Sequence, residues 1–191
     1  DSLDTPPAII GHSLGGLVSL KAGLADADAF HRVMVIDVLP FFSVLMDPAS
    51  TSESMAGTAT YMTSVLLMQD DATFAARQGE ALQALTKVPE MAEQSLEWSI
   101  ATDRAVMAQA MKEVLVTDLR LNMSGFSVPL TVLYARDPGV LNMDVTEALY
   151  LNDYAPVPEV EIYPVDGALH FVMTDQPDAF HAAVETFLSA P

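Results

Sequence analysis

Cysteine is absent from the 191 residues. That excludes disulfides, thiol nucleophiles and cysteine-held metals, and it leaves the redox compartment open. Histidine is scarce, four in all, with no H-x-x-H or H-E-x-x-H spacing, so neither a metal site nor a metal cofactor is expected. Basic residues are few: 8 Lys and Arg stand against 26 Asp and Glu, a net charge of −18 that repels nucleic acid and anionic membrane surfaces. No apolar run reaches the roughly 18 residues a membrane helix needs. The best, 33–46, is interrupted by Asp37 and Pro40. The first residue is Asp1 and not an initiating methionine, so any targeting segment is expected upstream; cytoplasm, bacterial periplasm and export all stay open.

Apolar side chains, by contrast, are plentiful. They make up 51% of the chain, enough for one domain with a sizeable core. The most informative stretch lies near the start. Ala8, Ile9 and Ile10 suit a short buried strand, and Gly11-His12-Ser13-Leu14-Gly15 follows as G-x-S-x-G before an apolar helical run. Between a strand and a helix, this spacing predicts a nucleophile elbow, a tight turn that strains Ser13 and lifts its Oγ above the sheet. Gly11 and Gly15 are read as places where a Cβ would collide with a neighbour. The helix start at Leu14 turns its free N–H groups toward any anion formed there.

The rest of the chain alternates. Residues 14–24 have helical period, and 32–39 read as a second strand, continuously apolar from Val33 to Ile36 as strands covered on both faces are. Pro40 is read as its end. No strand is evident over 41–127; helices are expected at 52–68, 72–85, 91–100 and 103–119, with Asp103 as an N-cap. Methionines gather there, which suits both plain helix core and a lid over an adaptable apolar pocket. Strand pattern resumes at 130–135, followed by the Asp137-Pro138-Gly139 turn, a short helix at 145–151, a strand at 160–165 and the loop Asp166-Gly167-Ala168-Leu169-His170. Pro177 opens a last helix, where its missing N–H is harmless.

In an open parallel sheet, reactive groups collect beyond the carboxyl ends of the strands. Ser13, Asp137 and His170 each stand at such an end. A serine hydroxyl needs a histidine to take its proton, and the histidine needs a carboxylate to hold its tautomer. Asp137 is preferred as that acid because it follows the strand before the histidine strand; Asp37 and Asp166 are its rivals. His12 is read as packing or orienting neighbours inside the elbow, and His31 and His181 as surface residues.

Four segments together resemble the α/β-hydrolase superfamily, in its lidded serine esterase and lipase-like branch, and are most like bacterial hydrolases of unassigned substrate. They are G-H-S-L-G-G at 11–16, V-I-D-V-L-P-F at 35–41, V-P-L-T-V-L-Y-A-R-D-P at 128–138 and D-G-A-L-H-F-V-M-T-D-Q-P-D-A-F at 166–180. The resemblance implies an α/β fold, a mainly parallel sheet with flanking helices, whose core is 1–40 with 128–191 and whose helical lid is 41–127. It implies a Ser13–His170–Asp137 triad in the family's chain order, an oxyanion held in part by the Leu14 N–H, and hydrolysis of an apolar carboxylic ester without a cofactor. Thioester, amide, lactone or carbon–carbon hydrolysis, or ligand binding without catalysis, are the alternatives. Because the fold it resembles places several strands before the elbow, the chain is expected to be the C-terminal portion of a longer hydrolase, weakly active or inactive alone.

Overall fold

The structure, a computed structural model, describes residues 5–139 and 142–190. The chain runs through β1 (Ala8–His12), α1 (Leu14–Ala25), a 3-10 turn at Ala27–Ala29 and β2 (Arg32–Ile36). A helical stretch follows: a 3-10 turn at Phe42–Leu45, then α2 (Ser52–Met68), α3 (Asp71–Gln83), α4 (Pro89–Ala101) and α5 (Arg104–Val116). After a 3-10 segment, Arg120–Gly125, come β3 (Leu130–Arg136), α6 (Met143–Tyr154), β4 (Val160–Asp166), the single-turn α7 (Val172–Asp175) and α8 (Pro177–Ser189). Two compact units result, one from Asp1–Pro40 with Leu119–Pro191 and one from Phe41–Asp118.

In the first unit the four strands lie parallel in the order β1-β2-β3-β4, with His12 beside Ile36 at one end of the register and Arg136 beside Asp166 at another. Every residue of β2 is buried, as its unbroken apolar run requires. Successive side chains of a strand point to opposite faces. Met34 and Ile36 accordingly share one face, packing with Leu133, Val165, Ala168, Val172 and Phe187. Arg32, buried at the start of β2, sends its guanidinium to the carbonyls of Phe187 and Ala190 at 2.5 and 2.6 Å. It thereby satisfies carbonyls at the end of α8 that no helical N–H can reach, and ties that helix to the sheet.

β2 stops at Ile36, three residues short of the expected end at 39. Pro40 is not the cause. Asp37 has φ 48°, outside the β region, so the strand breaks there. Helix α6 is longer than the expected 145–151, because the Asn142 side chain caps the Asp144 N–H and the buried Tyr154, bonded to the Val38 carbonyl, holds its far end. The single turn α7, four residues long, has too short a period to be legible in sequence.

The second unit is helical throughout its regular elements. α2 occupies the expected 52–68, started by a capping box between Thr51 and Ser54. α2 packs on α5 and α3 on α4, and Leu66, Phe74 and Ala108 form a small core. The Arg104 guanidinium lies 4.4 Å from the Phe74 ring and donates to the Gln69 carbonyl. The methionines divide in role: Met55 is buried, Met62 and Met111 line a shallow groove of about 340 Å³, and Met68 is exposed.

Candidate functional site

The site is built at the carboxyl ends of the strands of the first unit. β1 delivers the chain to Ser13, whose φ of 52° is strained for a residue with a side chain. Two bonds hold it there: its N–H donates to the Ile36 carbonyl, and its own carbonyl accepts from Leu17, the first helical bond of α1. The N–H groups of the first helical turn, Leu14 among them, are not consumed by that helix.

Glycine at position 11 is obligatory for this turn. A Cβ there would stand 2.4 Å from the Gly15 carbonyl oxygen and 2.5 Å from Ser19 Oγ, which itself donates to that carbonyl. Gly15 differs from its sequence reading, since a Cβ on it would meet nothing within 4 Å among the described residues; the crowded partner is Gly16, whose Cβ would meet Val38 Cγ1 at 2.6 Å.

His170 lies on the loop after β4. Gly167, at φ 76°, starts the loop with its N–H on the Arg136 carbonyl. Asp175 accepts the Leu169 N–H at 2.7 Å, and Gln176 donates to the Gly167 carbonyl. The single turn α7 thus serves as the brace of the histidine loop.

The carboxylate on His170 is that of Asp37. Its Oδ2 stands 2.7 Å from His170 Nδ1, and both side chains are largely withdrawn from solvent, 17% and 23% exposed. A carboxylate can only accept here, so Nδ1 carries the hydrogen and Nε2 is left to take a proton. Asp37 Oδ1 accepts two further donors, the Ala135 N–H at 3.0 Å and the Tyr150 hydroxyl at 3.1 Å. Burial pushes the Asp37 carboxyl up, but the His170 bond and charge together with these two donors outweigh it and hold the group below its ordinary range.

The structure thus sets Asp37 against His170, in the place that the sequence reading prefers for Asp137. Asp137 follows β3 and closes its own turn, accepting the Gly139 N–H at 2.8 Å. Asp166 is engaged with Arg136, at 2.5 and 3.0 Å, and that guanidinium holds its carboxyl below the usual range. Asp37 reaches His170 because its left-handed backbone turns the chain out of the sheet next to the Ala135 end of β3. The signal in the sequence is a carboxylate inside an otherwise apolar buried strand, since such a group needs donors around it.

His12, read from sequence as packing or orienting neighbours, makes contacts of both kinds. Its Nε2 lies 2.9 Å from the His170 carbonyl, which can only accept, so Nε2 is the protonated nitrogen. The two rings are 4.5 Å apart, and Phe171 lies 5.4 Å from His12. Burial, then the neighbouring His170, lowers the His12 pKa to about 4. His31 and His181 are exposed. Tyr150 was not singled out from sequence; a tyrosine on an amphipathic helix carries no mark of its partner.

The structure therefore brings together Asp37, His170 and His12, the residue next to Ser13. Among the described residues Ser13 Oγ makes no hydrogen bond. Bonds between nucleophile and base are often long before substrate binds. Among the described residues no cluster of His, Asp and Glu could hold a metal ion, and no helix is long and apolar enough to cross a membrane.

A sequence profile described as the alpha/beta hydrolase family matches residues 1–183. No curated protein sequence matches the chain. Among solved structures, the chain is similar to a hydrolase from Pseudomonas aeruginosa PA01 at 21% identity, with a TM-score of 0.77 over 100% of this chain and 68% of that one. It is similar to the enol-lactonase from Burkholderia xenovorans LB400 at 18% identity, TM-score 0.71, covering 95% of this chain and 65% of that one. A thermophilic esterase from Thermogutta terrifontis matches at 16% identity and TM-score 0.72, over 95% and 64%. At these identities the likeness is one of fold, and the chain spans 64–68% of the length of these three structures.

Proposed function

Because the chain belongs to the alpha/beta hydrolase family, we propose that it is a serine hydrolase of carboxylic esters in which Ser13, His170 and Asp37 act in sequence. The observation that carries this reading is the 2.7 Å bond between His170 Nδ1 and Asp37, made by the loop beyond β4 to the residue where β2 breaks. The described residues have a positive φ, glycine aside, only at Ser13 and Asp37, and backbone strain held in place by surrounding structure is characteristic of functional sites.

In the reaction proposed, Ser13 Oγ attacks the ester carbonyl as His170 Nε2 takes its proton. Asp37 stabilises the imidazolium that results. The oxyanion is held in part by the Leu14 N–H at the start of α1. Collapse of the tetrahedral adduct expels the alcohol, which takes the proton back from His170. Water then gives its proton to Nε2 and attacks the acyl-serine, and release of the carboxylic acid restores the serine. A lactone is the second substrate class, favoured by the likeness in fold to an enol-lactonase.

An alkyl fluorophosphonate probe applied to the full chain tests the assignment. Labelling should map to Ser13, vanish in Ser13→Ala and run parallel to the hydrolysis of short aryl esters or lactones. Equal labelling of wild type and Ser13→Ala contradicts it.

A further inference from the structure

Asp37 has two oxygens and three donors. Of the two on Oδ1, the Ala135 N–H belongs to the backbone of β3, but the Tyr150 hydroxyl is brought by a side chain of α6. Tyr150 is 5% exposed and stacks on Tyr134 with ring centroids 4.5 Å apart and an interplanar angle of 17°. One turn later on the same helix, Tyr154 stacks on Tyr150 at 6.3 Å and donates its hydroxyl to the Val38 carbonyl at 2.8 Å. One face of α6 therefore grips residues 37 and 38, where the chain leaves β2 with φ 48°.

The last torsion of an aspartate is soft, so a carboxylate held by a single donor can swing about its bond to Cβ. Two donors on Oδ1 fix its plane and leave Oδ2 aimed at His170. We propose that Tyr150 is a positioning residue for the hydrolysis, its hydroxyl locking the Asp37 carboxylate in the orientation that presents Oδ2 to His170. This role rests on the reading of Ser13, His170 and Asp37 given above. The groups facing Asp37 are His170 from the loop after β4, Tyr150 from α6 and, at longer range, His12 and Tyr154. Those facing Tyr150 are Asp37, Tyr134 and Tyr154; burial first, then the Asp37 charge, pushes its hydroxyl well above the usual range, so it acts as a donor.

Tyr150→Phe and Tyr154→Phe in the full chain make a matched pair, since each deletes one buried hydroxyl from the same helix face. Two readouts are needed: kcat and KM on an aryl ester, and the downfield proton resonance of His170 Nδ1–H. In Tyr150→Phe, kcat should fall about tenfold with KM within about twofold, the scale expected for a hydrogen bond to a charged group. Its Nδ1 proton should exchange faster with water and broaden. Tyr154→Phe should keep kcat within about twofold and the resonance sharp. A fluorinated tyrosine at 150, which keeps the fold and donates more strongly, should move the resonance upfield. If the two Phe variants behave alike, or if the fluorinated residue leaves the resonance unmoved, Tyr150 is only structural and the role is overturned. If wild type turns over no ester or lactone, the hydrolytic reading fails, while the resonance still decides whether Tyr150 holds Asp37.

Discussion

Asp37 stands on left-handed backbone at φ 48°, and its carboxylate gathers donors from β3, from α6 and from the loop after β4. Asp137 precedes Pro138 and Gly139, a plain turn beyond a strand, where an exposed catalytic group is easy to place. Asp37 sits between Ile36 and Val38 and reads as strand interior until the left-handed φ is seen. Its donors come from residues 98, 113 and 133 positions away, a convergence that no local pattern encodes. The places of Ser13 and His170, beyond the ends of β1 and β4, were legible because each is marked by its own loop. His12 was half legible: its place in the elbow could be read, its bond to the His170 carbonyl could not. That bond has a measurable consequence. Folded His12 protonates at about 4, whereas a free histidine does so at 6.5. Between these values the unfolded chain takes up a proton that the folded chain refuses, so stability falls as pH drops from about 6.5 to 4. The loss should approach about 2 kcal/mol, somewhat less than the full shift implies because the ring is not wholly enclosed. Urea midpoints at pH 7 and pH 4.5 should show this slope in wild type and a shallower one in His12→Gln, whose amide can still donate to the His170 carbonyl. Equal slopes would mean that His12 is not held neutral.

At the scale of elements, the strand and helix order was legible wherever period and punctuation agreed. α2 is the clearest example, with an apolar stripe whose helical period spans the whole of Ser52–Met68. Where packing overrode local signals, the reading slipped. The elbow shows this in its glycines, since Gly11 and Gly16 are the close approaches and Gly15 is open. A graded stability series follows. Gly11→Ala should cost about 3 kcal/mol or more, because the clash is with backbone oxygen and the turn cannot move without carrying Ser13. Gly16→Ala should cost less, since Val38 can shift and alanine gains about 1 kcal/mol in helix propensity. Gly15→Ala should be neutral or stabilising by up to about 1 kcal/mol for the same reason. Thermal midpoints of the three variants check the order; a Gly15→Ala loss equal to that of Gly11→Ala would contradict this packing of the elbow.

For the whole molecule, sequence composition bounded more than it identified. The absence of cysteine and the net charge of −18 narrowed the chemistry, and four separated segments indicated the family that the profile match shows. What composition could not supply is how the ends of β1, β2 and β4 converge, because that depends on sheet order and register. The chemistry proposed depends on the same convergence. The most direct test of it is an exchange of acids: rates of Ser13 phosphonylation by a fluorophosphonate, measured side by side in wild type, Asp37→Asn and Asp137→Asn. Loss of the carboxylate that orients the base should slow the serine by about 10²–10⁴-fold in Asp37→Asn, while Asp137→Asn should stay within a few-fold of wild type. The reverse order, with Asp137→Asn slowed by that factor and Asp37→Asn near wild type, would contradict the account.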